Sequence, residues 1–255
     1  MVNEVYFNTF LAFHVIALII FALGIYLKVS TWTKGNLHGI TKHKEIAFLK
    51  LIFGIIFSKH IIEVIKILIL DVILQRRIFH QDKVRWVMHT LIIIGFLGLL
   101  LIVEPFSIIF HGTEFGTIYP QGIFADFFGL LLLMGLSIAV LRRFILKAKQ
   151  LRSSLDDTIS LLLLFVVVAS GFIVEAVRFI DIKPTIDVIY SFFGYWLSGF
   201  VASSWSIYHD DLWLIHALIS SAFLAYIPFS KFFHIIATPI TILISSYEEE
   251  HGKVM

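Results

Sequence analysis

Long apolar runs alternate with short polar segments along this chain, and five of the runs are long enough to cross a lipid bilayer. A bilayer core of roughly 30 Å requires about 20 consecutive apolar residues in a helix. The pattern therefore predicts five transmembrane helices, at about residues 5–27, 86–110, 123–146, 158–179 and 211–238. The first run is too long for the apolar core of a signal peptide and lacks a basic start, so we expect it to be retained.

Two further apolar segments are not counted as spans. Residues 45–76 have a helical pattern in which Lys59, Glu63 and Lys66 share one face, which predicts a helix lying along the cytoplasmic membrane interface. Residues 186–207 are rich in aromatic side chains. A sixth span there would place the acidic pair that follows it on the cytoplasmic side, so the pattern favours an outer-surface or re-entrant segment.

The composition agrees with a protein embedded in a membrane. Of the 255 residues, 59% are hydrophobic and 15% are charged, whereas soluble domains average about 45–50% apolar and about 25% charged residues. We predict an all-α fold: a polytopic membrane helix bundle of five transmembrane helices plus an interfacial helix, forming one membrane-integral domain over residues 1–255. Since the chain has no cysteine, it cannot itself ligate an iron–sulfur cluster or attach a c-type haem.

Lysine and arginine predict the orientation. Residues 28–85 contain eleven of them and residues 142–152 contain five, whereas residues 104–122 contain none and residues 181–210 contain only Lys183. Cytoplasmic loops carry the excess of basic residues in membrane proteins. The chain is therefore predicted to lie in the cell membrane with its N-terminus outside and its C-terminus in the cytoplasm.

Four of the eleven histidines fall within or near the ends of predicted spans, at His14, His89, His216 and His234. On an unbroken helix, the eighteen residues from His216 to His234 make five whole turns, so both rings would project from one face about 27 Å apart. His89 matches the cytoplasmic depth of His234, and His14 lies in the outer half with His216. Two imidazoles at one depth on facing helices can ligate a six-coordinate haem b. The pattern favours an inner haem on His89 and His234 and an outer haem on His14 and His216.

Other interpretations stay open. A single histidine within a span also serves as a hydrogen-bonding contact between helices, and a haem-free transporter or binding protein is the second hypothesis. A proton relay would use intramembrane carboxyl groups, for which Glu104 and Glu175 are the candidates. His111 at an outer helix end is left unassigned. The histidines in loops or interfacial segments are interpreted as solvated: His38, His43, His60, His80, His209 and His251.

The sequences around the second and fifth spans carry a family resemblance. The motifs Arg85-Trp86-Val-Met-His89 and His216-Ala-Leu…Ala225-Tyr-Ile-Pro228-Phe-Ser-Lys231-Phe-Phe-His234 resemble those of nitrate reductase gamma-subunit-like membrane cytochromes b. Within that superfamily, the chain is most similar to the E subunit of the methanogen heterodisulfide reductase.

The resemblance implies a set of ligands. In such cytochromes the fifth span supplies one ligand to each of two b haems, matching His216 and His234, and the start of the second span supplies the other inner ligand, matching His89. The second histidine that the nitrate reductase type carries further along that span is missing here. His14 is then the expected outer partner, His111 is the alternative, and a chain without an outer haem is the third possibility.

The resemblance also implies a function. The haems would oxidise a reduced lipophilic carrier, methanophenazine or menaquinol, and pass the electrons to a cytoplasmic iron–sulfur subunit that reduces the CoM-S-S-CoB heterodisulfide. The chain would be an oxidoreductase subunit of a methanogenic respiratory chain, unable to reduce the disulfide alone and without a nucleic-acid partner. The alternative is a cytochrome b anchor for a sulfite-reductase-linked complex, a hydrogenase or a formate dehydrogenase.

Three further side chains complete the predicted site. Arg85 and Lys231 each lie within four residues of an inner histidine and are expected to neutralise haem propionates. Glu175 near the outer surface is the candidate acceptor of carrier protons, with an ion pair to Arg178 at i, i+3 as the competing interpretation. The aromatic residues of 190–205 are expected to cover a flat ring system there.

Overall fold

The computed structural model describes residues 3–32, 44–59, 61–110, 120–146, 155–180 and 190–251, and their regular secondary structure is helical. The helices in chain order are α1 (Glu4–Trp32), α2 (Lys44–Ile56), α3 (Ile61–Ile67), α4 (Arg76–Phe79), α5 (Lys83–Gly98), α6 (Glu104–Ile109), α7 (Pro120–Val140), α8 (Leu155–Arg178), α9 (Phe192–Ser198), α10 (His209–Tyr226) and α11 (His234–His251). Three π-helical turns extend α3, α5 and α7, at Leu68–Ile73, Leu99–Val103 and Leu141–Ile145.

Within these residues, five helical stretches are long and apolar enough to span a membrane. They are Glu4–Trp32, Lys83–Phe106, Gly122–Ile145, Leu155–Arg178 and Ser203–Phe229. The prediction of an all-α polytopic bundle with five spans is therefore confirmed. Of the segment at residues 186–207, the first four residues lie outside the described residues, and the last five begin the fifth span. Between them, α9 has only seven residues, too few to cross the bilayer.

The fifth span ends earlier than predicted. α10 stops at Tyr226 and is followed by short 3₁₀ turns at Ile227–Phe229 and Lys231–Phe233 before α11 begins. Pro228 explains the break, because its ring has no N–H to donate and clashes with the preceding helical turn. Ser230 then adopts an extended backbone and accepts a hydrogen bond from the backbone N–H of Phe232 at 3.1 Å.

Because of this break, His216 and His234 lie on different helices. The estimate of five whole turns between His216 and His234 assumed a single helix, and α10 and α11 are separate helices. The two rings therefore cannot be assigned to one helix face. Their selection as candidate ligands rests instead on their surroundings. His111, the alternative outer ligand, lies outside the described residues.

The segment predicted as one interfacial helix consists of two helices. α2 ends at Ile56 and α3 begins at Ile61, so Lys59 lies in the intervening turn and not on a helix face with Glu63 and Lys66. A core shared by α2, α3 and α11 buries Phe48, Ile55, Val64, Leu243 and Ile244. Their location at the membrane interface stays a prediction.

Contacts divide the chain into two compact units, one comprising Met1–Ile16 and Val87–Phe223, the other Ala17–Trp86 and Leu224–Met255. The division runs through α1, α5 and α10, and the prediction of a single domain is not tested by it. In the first unit, α5 and α7 approach closely at Gly95, where a Cβ atom would lie 2.5 Å from the backbone nitrogen of Leu132. Small residues allow membrane helices to pack at this distance.

The second unit contains the break in the fifth span. Pro228 is buried, and its Cβ would be 2.6 Å from a Cβ atom built on Gly24 of α1. Phe233 stacks at a tilt on Trp32 with ring centroids 5.2 Å apart. Contacts with the second half of α1 therefore hold the segment that leads to His234.

Candidate functional site

His216 is anchored by a hydroxyl group on another helix. Its Nδ1 lies 2.9 Å from Oγ of Ser170 on α8, and the same hydroxyl donates its hydrogen to the carbonyl oxygen of Val167 at 2.9 Å. A serine hydroxyl has one hydrogen to donate, so Oγ accepts a hydrogen bond from the Nδ1–H of His216. This arrangement leaves Nε2 unprotonated, with its lone pair available to a metal.

The space beside this ring comes from a glycine. A Cβ atom on Gly171 would lie 3.2 Å from Cε1 and 3.5 Å from Nε2 of His216. The absence of a side chain at this position therefore keeps the edge of the ring that carries Nε2 uncrowded. The donor chemistry, with Nδ1–H hydrogen-bonded and Nε2 unprotonated, is that of a metal-ligating histidine.

His14 shows the same pattern in a deeply buried position. The residue is 5% exposed, and its Nδ1 lies 2.9 Å from Oγ of Ser221. Ser221 donates its hydrogen to the carbonyl oxygen of Ala217 at 2.8 Å, so Nδ1 of His14 is again the donor. Nε2 of His14 faces Oε1 of Glu104 at 3.9 Å, which is beyond hydrogen-bonding distance.

The two predicted outer ligands contact different sides of α10. His14 reaches this helix at Ser221, whereas His216 projects from it toward Ser170 of α8. Positions 216 and 221 are about 140° apart around an ideal helix axis. The structure therefore brings His14 to the helix that carries His216, but not to the face on which the His216 ring lies.

The two predicted inner ligands lie in different units and are described separately. In the second unit, Nδ1–H of His234 donates to the backbone carbonyl of Lys231 at 2.5 Å, and the His234 side chain is exposed. Its Nε2 is thus also left without the ring proton. His89 is half-buried on α5 of the first unit.

The predicted propionate partners, Arg85 and Lys231, both have exposed side chains. The backbone N–H of Arg85 donates to Oδ1 of Asp82 at 3.0 Å, a side-chain cap for the start of α5. Lys231 opens the 3₁₀ turn that leads to His234. Both side chains are accessible to a charged ligand group. Their predicted role in neutralising haem propionates stays a prediction.

Glu175 lies near the end of α8 in the first unit, and its side chain is 15% exposed. Oε1 is 3.7 Å from a guanidinium nitrogen of Arg178, so the i, i+3 contact that the competing interpretation assumes is present. Arg178 also donates to Oγ of Ser191 at 3.2 Å. A Cβ atom on Gly194 of α9 would clash with Cγ of Glu175, so this glycine makes room for the carboxyl group.

A second carboxyl group, which the sequence reasoning missed, lies beside Glu175. Asp126 on α7 is 0% exposed, and its carboxyl group is within hydrogen-bonding reach of that of Glu175. Its Oδ2 accepts the backbone N–H of Phe193 at 2.6 Å. Its Oδ1 is buried and receives no hydrogen bond from an N–H or O–H group of the described residues. An aspartate near the start of the third span was a visible signal, because carboxyl groups at membrane depth are costly and usually functional.

The family is decided by sequence comparison. The sequence model of the HdrE family, the E subunit of dihydromethanophenazine:CoB--CoM heterodisulfide reductase, matches residues 65–242. The chain belongs to this family. The matched segment includes His89, His216, His234 and Glu175 and leaves out His14. The chain is accordingly a multi-pass membrane subunit of a heterodisulfide reductase complex, and hence an oxidoreductase subunit with other subunits as partners.

Individual relatives agree with this assignment. The dihydromethanophenazine:CoB--CoM heterodisulfide reductase E subunit of Methanosarcina acetivorans is 29% identical over 247 residues, which cover 89% of this chain and 88% of the relative. That of Methanosarcina mazei is 33% identical over 193 residues, covering 71% and 67%. The EtfAB:quinone oxidoreductase of Syntrophomonas wolfei is 24% identical, over 92% of this chain and 33% of that longer protein. No solved structure matches the chain. The resemblance to the heterodisulfide reductase protein is confirmed, and the wider likeness to nitrate reductase gamma subunits stays a prediction.

Proposed function

We propose that this subunit binds two b-type haems, takes electrons from a reduced lipophilic carrier, and passes them to a cytoplasmic iron–sulfur subunit that reduces the CoM-S-S-CoB heterodisulfide. The name of the Methanosarcina relatives supports a dihydrophenazine as donor and the mixed disulfide as final acceptor. Since this chain has no cysteine, the disulfide-reducing centre belongs to another subunit. Each haem, when bound, supplies a one-electron acceptor and donor.

One observation carries this proposal: His14, His216 and His234 each hold Nδ1–H in a hydrogen bond to an oxygen. The acceptors are the Ser221 and Ser170 hydroxyls for His14 and His216, and the Lys231 carbonyl for His234. Such a bond fixes the tautomer and the ring orientation and leaves Nε2 as the ligating atom, the arrangement that metal-binding histidines use.

The proposed ligands are His89 and His234 for the inner haem and His14 and His216 for the outer haem. Because His14 and His216 face different sides of α10, ligation of one iron by both requires one ring to turn from its serine. His111 is the alternative partner of His216. Arg85 and Lys231 would neutralise the propionates of the inner haem.

We place carrier oxidation at the outer surface, with the N-terminus outside and the C-terminus in the cytoplasm. Oxidation of a dihydrophenazine or a quinol releases two protons and two electrons. Outer oxidation combined with inward electron transfer would separate charge across the membrane. Two haems at different depths would carry the electrons between the two sides. Glu175 is the proposed proton acceptor, and the neighbouring aromatic rings of Phe193 and Trp196, 5.5 Å apart, offer a surface for a flat carrier.

An optical spectrum of the purified subunit tests the haem proposal. We expect a reduced-minus-oxidised difference spectrum of a b-type cytochrome, with about two haems extracted per chain. The absence of any b-type absorption would overturn the proposal in favour of a haem-free binding or transport protein. The match to a quinone oxidoreductase favours, as the second candidate, a cytochrome b anchor in another respiratory complex. The subunits that co-purify with the chain separate these two.

The side of carrier oxidation is tested in sealed vesicles that contain the complex with its cytoplasmic face outward. Reduced carrier and heterodisulfide are supplied, and the pH of the lumen is followed. Acidification of the lumen, diminished in Glu175→Gln, supports oxidation at the outer surface. Protons that appear only in the external medium would move carrier oxidation to the cytoplasmic side.

A further inference from the structure

We propose that Asp126 and Glu175 share one proton and act as a single proton-accepting pair, in which Glu175 meets the carrier and Asp126 holds the negative charge. This inference rests on the proposed function and deepens it. Glu175 alone was the predicted acceptor, and Asp126 has no role in that prediction.

The two carboxyl groups are too close and too buried to be ionised together. Asp126 is 0% exposed and the Glu175 side chain is 15% exposed. Both carboxyl groups contact adjacent residues of α9, Asp126 through the N–H of Phe193 and Glu175 where a Cβ atom on Gly194 would clash with it, and they lie within hydrogen-bonding reach of each other. Two carboxylates that share such a site cannot both keep their negative charge, and one proton is retained between them.

The hydrogen bonds indicate which group keeps the proton. Oδ2 of Asp126 accepts the backbone N–H of Phe193 at 2.6 Å, and a short hydrogen bond from an N–H group favours the ionised form of a carboxyl. The other oxygen, Oδ1, is buried without a donor among the N–H and O–H groups of the described residues. A proton on Glu175 satisfies Oδ1, because a protonated carboxyl group has an O–H to donate.

Charge balance supports the same protonation state. A guanidinium nitrogen of Arg178 lies 3.7 Å from Oε1 of Glu175. One carboxylate, one neutral carboxyl group and one guanidinium give no net charge, which is the least costly state for a partly buried cluster. A second proton would leave one positive charge, and this charge favours prompt release of the proton to water on the exposed side of Arg178.

For each carrier molecule that is oxidised, two protons pass through the Asp126–Glu175 pair, one after the other. A reduced carrier with two N–H or O–H hydrogens gives up two electrons and two protons on oxidation, and bound haems would supply the one-electron acceptors. Each proton binds the Glu175 carboxyl group as the proton already there passes to Asp126. One proton then leaves the pair on the side of Arg178, which is 40% exposed, and the pair returns to its singly protonated state.

Infrared difference spectroscopy of the purified protein in water and heavy water tests the shared proton. We expect the wild type to show the C=O band of a protonated carboxyl group that is lost in both Asp126→Asn and Glu175→Gln, because the carboxyl left in each variant is ionised. A C=O band that is lost in Glu104→Gln belongs to the Glu104 carboxyl group near His14 and not to the Asp126–Glu175 pair. Glu4→Gln and Asp156→Asn, which change exposed carboxyl groups, serve as matched controls and should leave the band in place.

A band that persists at full strength in Asp126→Asn would overturn the proposal, since Glu175 would then be protonated without its partner. A wild type without the band would overturn it as well. The infrared band does not depend on bound haem. A protein without b-type absorption would contradict the proposed function, and the infrared band of the same protein would still test the shared proton.

The kinetic test uses the intact complex and measures carrier oxidation with heterodisulfide as acceptor. Removal of a general acid–base group typically costs about 100-fold to 10,000-fold in rate, and we expect at least the lower value in each single variant. Because the two groups act as a unit, the double variant should be no slower than the slower single variant. Independent losses that multiply, at unchanged haem absorbance, would show that the two carboxyl groups do not form a pair.

Discussion

His216 and His234 are close in the sequence, but their rings are positioned by different kinds of hydrogen bond. His216 lies on the intact helix α10 and is tied to Ser170, a residue 46 positions away on another helix. His234 follows a break at Pro228 and is tied to the backbone carbonyl of Lys231, three positions away. The first ring therefore depends on tertiary packing, and the second depends mainly on local backbone geometry. Each arrangement leaves Nε2 as the free ring nitrogen.

The largest expected effect is loss of one haem when either histidine is removed. We predict that His216→Ala and His234→Ala each lower the haem content per chain by about half, because a bis-histidine haem loses one of its two axial ligands. His89→Ala should reproduce the loss seen in His234→Ala, and both should stop electron transfer from the carrier to the partner subunit. Haem extraction and the redox difference spectrum provide the measurements.

His80→Ala is the matched control for these variants, since its ring is exposed and no ligand role is assigned to it. It should keep full haem content. If His234→Ala retains both haems and carrier-driven turnover, the inner ligand pair is misassigned.

The next effect concerns the partner of His216. We predict that His14→Ala lowers haem content by as much as His216→Ala, because a bis-histidine haem needs both of its axial ligands. The measurement is the haem content of His14→Ala and His111→Ala side by side. A loss in His111→Ala with none in His14→Ala would assign the outer iron to His111 and leave His14 as a structural contact near Glu104.

The same contrast explains what the sequence could predict. Residues close in sequence on an unbroken helix were predicted well: the i, i+3 pair of Glu175 and Arg178 is present at 3.7 Å. The periodicity that linked His216 to His234 failed at Pro228, because the helix ends there although the apolar run continues.

Contacts between distant residues were beyond the reach of the sequence argument. The serines that fix the tautomers of His14 and His216 are 207 and 46 positions away, and no local pattern identifies them. Asp126 was a different case, since an aspartate inside an apolar span was visible and only its pairing with Glu175 required the structure.

A smaller effect is expected from removing a hydrogen-bond acceptor. Partners that orient a metal-ligating histidine typically contribute 10-fold to 100-fold to affinity or activity, so we predict that Ser170→Ala weakens haem binding by about 10-fold and shifts the midpoint potential of that haem alone. Ser198→Ala is the matched control, because its hydroxyl donates to the carbonyl of Tyr195 at 2.7 Å as that of Ser170 does to Val167. Redox titration separates the two haems. Equal behaviour of both variants would show that Ser170 does not orient His216.

The smallest effect tests whether packing at the helix break supports His234. A methyl group on Gly24 would lie 2.6 Å from Cβ of Pro228, whereas a methyl group on Gly54 would meet no atom within 4 Å. We predict that Gly24→Ala destabilises the protein by about 1–3 kcal/mol, the usual cost of overpacking, and that Gly54→Ala stabilises it by up to about 1 kcal/mol, because alanine is the better helix former. Thermal unfolding in detergent, followed by both intrinsic fluorescence and haem absorbance, gives the sign of each change. Gly24→Ala should release the haem of His234 at a lower temperature than wild type and leave that of His216 unaffected. If the two glycine variants shift stability in the same direction, Pro228 is not held against Gly24, and His234 is positioned by its local backbone alone.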